Sequence, residues 1–256
     1  MKKMKLYHDY IFDLYGTLVD IRTNEEQHVL WNKLSLLYGC YGADYLPQIL
    51  HDAYLSLVHA KEKNKQDAEQ ERYSHEAYPE IAIEEVFADL YISKGVQPSD
   101  ELVLHTAQMF RILSTSYIRL YAGAKELLQQ LRANGRRVFL LSNAQRIFTE
   151  YELKYLQIYD SFDGILISSD YGVKKPDERF FKLLLQKYSI DPKDALMIGN
   201  DLNSDIAGAE NVGIDTFYIN SAISPKTTAD KISADYSMAH MNLKKLQKIL
   251  LNSKER

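Results

Sequence analysis

The sequence predicts an α/β protein in which a Rossmann-like, doubly wound parallel sheet carries an inserted all-helical bundle. In the second half of the chain, short apolar runs alternate with helical segments, which is typical of strands buried on both faces of a parallel sheet. In the first half, apolar residues recur mainly at three- and four-residue steps, as in helices that face a core. We therefore expect an α/β core domain formed by residues 1–19 and 110–256, and a helical-bundle cap domain formed by residues 20–109.

The predicted elements follow one another in a regular order, and Tyr10–Phe12 is the first strand. The insert shows no strand-like run, and its predicted helices are Glu26–Tyr38, Tyr45–Ala60 and Ile83–Ile92. The later strands are Arg137–Leu141, Gly164–Ser168, Ala195–Gly199 and Thr216–Ile219, and the later helices are Lys125–Ala133, Ile147–Leu156, Glu178–Tyr188, Asp205–Val212 and Leu243–Leu251. The charge-rich run Lys61–Glu76 is interpreted as a solvated helix face or a mobile connection, with a substrate-facing role as the alternative.

Composition and charge argue against several classes of protein. The net charge is −4 and the basic and acidic residues are mixed, so we expect no basic face for nucleic acid. No stretch approaches the roughly 20 apolar residues of a membrane span, and Met1–Tyr10 lacks the apolar region of a signal peptide. Cys40 is the only cysteine and cannot form an internal disulfide, which fits a reducing compartment. We therefore expect a cytoplasmic protein that binds neither nucleic acid nor membrane.

Four segments place polar residues at the carboxyl ends of predicted strands, where doubly wound sheets bind their ligands. In the first segment Asp13 directly follows a strand, Gly16 permits a sharp turn, and Thr17 offers a hydroxyl and a backbone amide. An ionised carboxylate in this place is costly unless it has partners or a task. It can attack phosphorus or carbon and form a covalent intermediate. The alternative is that Asp13 only caps the following turn.

The second and third segments supply hydrogen-bond donors and a cation. Ser142 and Asn143 come where a strand ends and suit an anionic group on a substrate, although an ordinary polar turn is the alternative. Lys175 precedes a proline, which biases its backbone toward an extended conformation. Beside Asp13, this lysine would stabilise the carboxylate and neutralise charge that develops on the substrate. The alternative is an ordinary solvated lysine.

The fourth segment, Met197–Ala209, contains two carboxylates and two amides after a strand. Oxygen ligands of this kind suit Mg²⁺, which takes a few carboxylates together with water and substrate oxygens. Asn200, Asp201 and Asp205 are the candidate residues. The alternative is that Asp205 is simply the N-cap of the next helix.

Together and in this order, the four segments resemble the motifs of the haloacid dehalogenase superfamily, and the resemblance covers most of the chain. It implies that Asp13 is the nucleophile and that Ser142 and Lys175 are the motif serine and lysine. The last acidic pair of the family falls between Gly199 and Asp205. The helical insert between the first and second motifs implies a cap of the family's C1 type. Such caps close over the site, exclude water and select the substrate.

The resemblance also implies a role for each candidate site residue. The implied catalytic residues are Asp13, Lys175, Ser142 and Tyr15; the implied substrate-binding residues are Thr17, Ser142, Asn143 and Lys175; and the implied Mg²⁺ ligands are Asp13, the backbone carbonyl of Tyr15, Asn200 or Asp201, and Asp205.

Two positions depart from the family pattern. Family phosphatases carry a second aspartate two residues after the nucleophile, which protonates the leaving group; this chain has Tyr15 there, as family dehalogenases do. The unperturbed pKa of tyrosine is about 10, so it is a poor general acid at neutral pH. Asn200 stands where family phosphatases usually place a metal-binding aspartate, so Mg²⁺ is expected to bind more weakly, with Asp201 as a substitute ligand.

A dehalogenase interpretation lacks a different residue. Those relatives place an arginine early in the cap to hold the halide and carboxylate, but between Lys33 and Lys61 this chain has neither arginine nor lysine. Arg22 and Arg72 are possible substitutes. We therefore expect a Mg²⁺-dependent phosphatase that acts on a small phosphorylated metabolite as a monomer or small homo-oligomer. The alternatives are a 2-haloacid dehalogenase and a member that binds a ligand or partner without turnover.

Overall fold

A computed structural model describes residues 4–72, 78–226 and 233–252 of the chain. In chain order the strands are β1 (Asp9–Phe12), β2 (Val19–Thr23), β3 (Thr115–Leu120), β4 (Arg137–Ser142), β5 (Gly164–Ile167), β6 (Ala195–Gly199), β7 (Asp215–Ile219) and β8 (Tyr236–Met238). The α-helices are α1 (His28–Cys40), α2 (Pro47–Arg72), α3 (Ile83–Ile92), α4 (Asp100–Ser114), α5 (Ala124–Ala133), α6 (Arg146–Tyr155), α7 (Ser168–Tyr171), α8 (Glu178–Tyr188), α9 (Ala207–Asn211) and α10 (Leu243–Leu251). Tyr159–Ser161 and Pro192–Asp194 are 3₁₀ turns, and Leu202–Ile206 is π-helical.

Within the described residues, six parallel strands form the central sheet in the order β5-β4-β1-β6-β7-β8. Both faces of β1 are buried, because Tyr10 and Phe12 pack into one apolar cluster and Ile11 into the cluster on the opposite face. This two-sided burial explains why the strands read as continuous apolar runs. The predicted doubly wound α/β fold is confirmed. Since β1 lies between β4 and β6, the chain order reverses there, and this is where such sheets bind ligands.

The helical insert has a core of its own. Helices α1–α4 pack around an aromatic cluster that includes Trp31, Tyr54, Phe87 and Phe110. Phe148 of α6 joins this cluster and stacks on Phe110, with 6.1 Å between the ring centroids. The helices are therefore packed against the α/β core and not only tethered to it.

The expectation that the insert contains no strand is wrong at its first residues. Val19–Thr23 forms β2, which pairs antiparallel with β3, and Asp20 accepts two hydrogen bonds from Arg119 at 2.9 and 2.7 Å. These partners lie 99 residues apart, so no local pattern reveals the pair. Helix α4 continues through the predicted domain boundary at residue 110. We therefore propose that both crossings between core and cap lie in this two-stranded ribbon.

The charge-rich run is helical over the part that is described. Helix α2 continues to Arg72, whereas residues 73–76 of the run lie outside the described residues. Lys65 donates to the carbonyl oxygen of Glu80 at 2.7 Å, and Glu69 forms an ion pair with Arg179 of α8 at 2.6 Å. This end of α2 therefore contacts the core as well as solvent. None of the helices in the described part of the chain has the length and apolarity of a membrane span.

Candidate active site

The sheet register brings the predicted site residues to one edge. Phe12, the last residue of β1, is paired with β4 on one side and with β6 on the other. The residues at the carboxyl ends of these three strands therefore emerge side by side. They include Asp13 after β1, Ser142 at the end of β4 and Asn200 after β6.

Lys175 lies at the centre of the site. Its Nζ atom lies 2.8 Å from Oδ1 of Asp13, 2.7 Å from Oδ1 of Asp205 and 2.8 Å from the carbonyl oxygen of Leu141. These three acceptors use all three hydrogens of the ammonium group. The side chain of Lys175 is 1% exposed and that of Asp205 2%, whereas that of Asp13 is 11% exposed. Asp13 is therefore the member of this group that a substrate can reach.

Burial and charge together determine the ionisation of the group. Burial by itself lowers the pKa of Lys175, but the attraction of Asp13 and Asp205 outweighs it and raises the pKa, so the ammonium stays charged. Burial raises the pKa of Asp205; Lys175 opposes this rise and the negative charge of Asp13 adds to it. One buried cation thus balances two carboxylates, and this balance depends on Lys175 remaining in place.

Asn143 holds the backbone of Lys175. Its Nδ2 group donates to the carbonyl oxygen of Lys175 at 2.9 Å, and its Oδ1 atom accepts from the N–H group of Lys175 at 2.8 Å. Both ends of the Asn143 amide are therefore engaged by protein. The geometry makes this side chain a positioning group for the lysine, while its predicted contact with substrate stays a prediction.

The two acidic residues after β6 have different partners. Asp205 uses Oδ1 for Lys175, and its Oδ2 atom accepts the backbone N–H groups of Asn200 and Asp201, both at 3.0 Å. Asp201 instead caps the π-helical turn, because its Oδ1 atom accepts the N–H group of Asn203 at 2.8 Å. The cap role considered for Asp205 thus belongs to Asp201. Single turns of π-helix are frequent at functional sites.

Two oxygen atoms converge on the hydroxyl of Thr17. Its Oγ1 atom lies 3.3 Å from Oδ2 of Asp13 and 3.3 Å from Oδ1 of Asn200. A hydroxyl has one hydrogen, so it satisfies only one of these oxygens at a time. The Nδ2 group of Asn200 donates to the hydroxyls of Ser221 and Ser224, each at 3.4 Å, which turns Oδ1 toward Asp13. Oδ2 of Asp13 and Oδ1 of Asn200 therefore both lie next to the hydroxyl of Thr17.

This donor set fits Mg²⁺ in a limited way. In residues 4–72, 78–226 and 233–252, no group of three or more histidine, cysteine, aspartate or glutamate residues is arranged to hold a metal. Mg²⁺ is commonly bound by one or two carboxylates, with water and substrate oxygens completing its shell. Asp13 and Asn200 match that chemistry. The ligand roles of Tyr15, Asp201 and Asp205 stay predictions, and the oxygens of Asp205 are already hydrogen-bonded.

Ser142 carries a buried hydroxyl whose Oγ atom has no hydrogen-bond partner among the described residues. A buried polar group left unpaired costs about 1–3 kcal/mol. The group is placed at the end of β4, on the strand next to that of Asp13. A bound ligand with a polar oxygen at this point would satisfy it.

The side chain of Tyr15 is held by helix α6. Its hydroxyl donates to Oε2 of Glu152 and lies 3.1 Å from Oγ1 of Thr149. Oε1 of Glu152 accepts from Nε of Arg111 on α4 at 2.5 Å, and the guanidinium lies 5.7 Å from the centre of the Tyr15 ring. Burial and then the charge of Glu152 raise the pKa of Tyr15 above its ordinary value. The hydroxyl therefore stays protonated, and the ion pair of Glu152 with Arg111 links the core to the helical insert.

A second link joins the helical insert to the segment before Lys175. The N–H group of Glu80 donates to the carbonyl oxygen of Gly172 at 3.0 Å, and the N–H group of Lys174 donates to the carbonyl oxygen of Tyr78 at 2.9 Å. The Glu80 carboxylate also accepts from the hydroxyl of Ser168 at 2.9 Å. The helical insert is therefore hydrogen-bonded to the residue that directly precedes Lys175.

Three of these residues were not found from the sequence. Arg111 comes one helical turn after the buried Ala107, and Glu152 comes one turn after the buried Phe148. A charged residue on the apolar stripe of a helix is a signal that could have identified both. Glu80 follows a helix break and carries no such local signal, although it is only 9% exposed.

The absence of a side chain at Gly16 is required by Asn200. The φ angle of Gly16 is +86°, and an added Cβ atom would lie 2.3 Å from Nδ2 of Asn200. We expect Gly16→Ala to destabilise the fold by about 1–3 kcal/mol more than Gly135→Ala. Gly135 is a matched control, because its φ angle is +72° and an added Cβ would meet nothing within 4 Å. Urea unfolding measures the free energy of unfolding of both variants. Equal losses would show that the clash with Asn200 does not determine the effect of Gly16→Ala.

Comparison with known proteins places this geometry in a family. Residues 10–213 match the family model described as haloacid dehalogenase-like hydrolase. A glyceraldehyde 3-phosphate phosphatase of Pyrococcus abyssi (strain GE5 / Orsay) is 37% identical over 103 residues, which are 40% of this chain and 43% of that protein. A ribulose-1,5-bisphosphate 5-phosphatase of Halopiger xanaduensis is 28% identical over 174 residues, 65% of this chain and 67% of that protein. The chain thus spans less than half the length of the first of these relatives.

Solved structures share the fold. A 2-haloacid dehalogenase from Pseudomonas syringae pv. Tomato DC3000 has a TM-score of 0.62 and 20% identity, with 97% of this chain and 99% of that chain covered. A HAD phosphatase from Thermococcus onnurineus has a TM-score of 0.57 and 20% identity, with 99% of this chain and 100% of that chain covered. Since the family model covers most of the chain, including Asp13, Lys175 and Asp205, the chain belongs to the haloacid dehalogenase-like hydrolases.

Proposed function

We propose that this hydrolase is a phosphatase of small phosphorylated metabolites in which Asp13 is the nucleophile. The observation that carries the proposal is the buried ion pair between Lys175 and Asp13, 2.8 Å long, beside the unpaired hydroxyl of Ser142. A lysine in this place orients the carboxylate and offsets the charge of a phosphate group. The phosphatases named above are similar to this chain and support the same reaction class.

The residues of the site account for the steps of such a reaction. A carboxylate oxygen of Asp13 attacks phosphorus, so that a bond from Asp13 to phosphorus forms and the bond to the leaving oxygen breaks. The hydroxyl of Ser142 donates to a phosphoryl oxygen while this charge shifts, and the positive charge of Lys175 offsets it. Water then attacks phosphorus, which releases phosphate and restores the Asp13 carboxylate. Asp13 and Asn200 would hold Mg²⁺, which would supply further neutralisation of phosphate charge.

Little water reaches the site, because Asp13 is 7% exposed and Lys175 is 3% exposed. Exclusion of water strengthens the interaction between Lys175 and a bound phosphate, and closure over the substrate provides contacts for selectivity. We also propose that the enzyme acts in the cytoplasm, on a small-molecule substrate, as a monomer or small homo-oligomer.

A substrate screen tests the proposed function. We expect turnover of phosphate compounds in the presence of Mg²⁺, and loss of that turnover when EDTA removes the metal. Haloacids incubated without metal are the comparison, because Tyr15 occupies the position where family dehalogenases have tyrosine. Release of halide in place of phosphate would favour the dehalogenase alternative. Arg111, near the end of α4, does not replace the missing arginine of that alternative, because it is already engaged by Glu152.

A screen in which no compound is turned over also distinguishes between the candidate functions. If neither phosphate nor halide is released while Mg²⁺ or a phosphate compound binds in calorimetry, the chain is a binding member without turnover. The same preparation serves both measurements, so failure of folding and absence of chemistry are separated by the binding signal.

A further inference from the structure

The second residue after the nucleophile is not positioned to donate a proton. The Tyr15 hydroxyl has one hydrogen, and it is donated to Glu152. Thr149, which lies on α6 with Glu152, also contacts the Tyr15 hydroxyl. Arg111 of α4 donates to Glu152 and so holds that carboxylate in place. To protonate a leaving group, Tyr15 would have to release Glu152 and leave Arg111 as that carboxylate's only partner in this cluster.

The other groups that contact Asp13 are also engaged. The ammonium group of Lys175 donates its three hydrogens to Asp13, Asp205 and the carbonyl oxygen of Leu141. Thr17 has one hydrogen, which is shared between Asp13 and Asn200. Among the described residues, Lys175 and Thr17 are those that hydrogen-bond the side chain of Asp13, and neither has a hydrogen left to give to a leaving group.

Resting on the phosphatase function proposed above, we infer that the substrates are acyl phosphates, whose leaving group departs without a proton. An oxygen of Asp13 forms a bond to phosphorus, the bond between phosphorus and the acyl oxygen breaks, and a carboxylate leaves with the electron pair. A carboxylate is the base of an acid with a pKa of about 4. An alkoxide is the base of an alcohol whose pKa, like that of bulk water, lies far above neutral pH, so it needs an acid in order to leave. Water then attacks phosphorus, Asp13 regains its carboxylate, and the proton of the water passes to phosphate.

The test compares leaving groups in one enzyme preparation. The kcat/KM of acetyl phosphate, p-nitrophenyl phosphate and glycerol 3-phosphate is measured with Mg²⁺ in wild type and in Tyr15→Asp. In wild type we expect the first two to exceed glycerol 3-phosphate by at least about 10²-fold, since a positioned acid contributes about 10²–10⁴-fold. Tyr15→Asp is expected to raise turnover of glycerol 3-phosphate much more than that of acetyl phosphate. Circular dichroism confirms that the variant is folded.

Two further variants keep the inference open to refutation if Tyr15→Asp does not fold. In Tyr15→Phe, a selective loss of glycerol 3-phosphate turnover would show that the hydroxyl supplies the proton after all. Glu25 is a half-buried carboxyl group whose pKa is raised by burial, and it lies near Arg111. The same selective loss in Glu25→Gln would assign the proton to the cap.

Failure of this inference is distinguishable from failure of the proposed function. The inference is overturned if wild type has equal kcat/KM for acetyl phosphate and glycerol 3-phosphate and Asp13→Asn abolishes both activities. The proposed phosphatase function would then still stand. If no turnover of a phosphate compound depends on Asp13, both the inference and the proposed function are overturned. Detection of one phosphoryl group on the intact protein after mixing with acetyl phosphate, absent in Asp13→Asn, supports the covalent step without relying on turnover.

Discussion

Replacement of Asp13 by asparagine is expected to lower phosphate turnover by about four orders of magnitude or more, as loss of a nucleophile does in other covalent enzymes. Asparagine keeps the shape of the side chain and can still accept from Thr17, but its amide does not form the bond to phosphorus. The measurement is kcat for acetyl phosphate and p-nitrophenyl phosphate at saturating Mg²⁺. The fold is expected to persist, because Lys175 retains Asp205 as a partner.

A matched control separates this effect from a general loss of charge. Asp160 is exposed and its hydrogen bond to Arg132 is made through its backbone carbonyl, so Asp160→Asn changes the same functional group away from the site. We expect this control to keep wild-type turnover. If Asp13→Asn retained more than a few per cent of wild-type activity, Asp13 would not be the nucleophile.

Replacement of Lys175 by methionine is expected to remove activity and to lower the free energy of unfolding by about 3–5 kcal/mol. Methionine has a similar length but no charge, so the buried carboxylates of Asp13 and Asp205 lose their shared cation. Lys174→Met is the matched control, because Lys174 is partly exposed and its hydrogen bond to Tyr78 is made by the backbone. Urea unfolding of both variants, together with turnover, measures the difference.

A double variant tests the cause of that instability. The variant Lys175→Met with Asp205→Asn removes one of the two carboxylates that have lost their cation. Part of the lost free energy of unfolding should therefore return, while activity does not. Independent effects of the two changes on the free energy of unfolding would contradict a shared ion-pair network. Stability equal to wild type in Lys175→Met alone would contradict the proposed role of the lysine.

Much of the fold and the place of the site could be predicted from local pattern. Strand ends are marked by a change from apolar to polar residues, and parallel strands bring their carboxyl ends together, so Asp13 and Ser142 could be placed at one edge. Partners that depend on tertiary packing could not be predicted. The pairing of β2 with β3 and the bond between Tyr15 and Glu152 join residues that are distant in the chain. Asn143 was expected to face substrate, but its position after a strand does not reveal that Lys175 occupies both ends of its amide.

The Tyr78–Glu80 segment of the helical insert is hydrogen-bonded to the Gly172–Lys174 segment, so a movement of the insert that separated the two would also take a neighbour away from the backbone before Lys175. Each of these hydrogen bonds contributes about 0.5–1.5 kcal/mol net, so they would add to the free-energy cost of such a movement. A substrate that bound more tightly with the insert in place would therefore also favour molecules in which the backbone of Lys175 is fully supported.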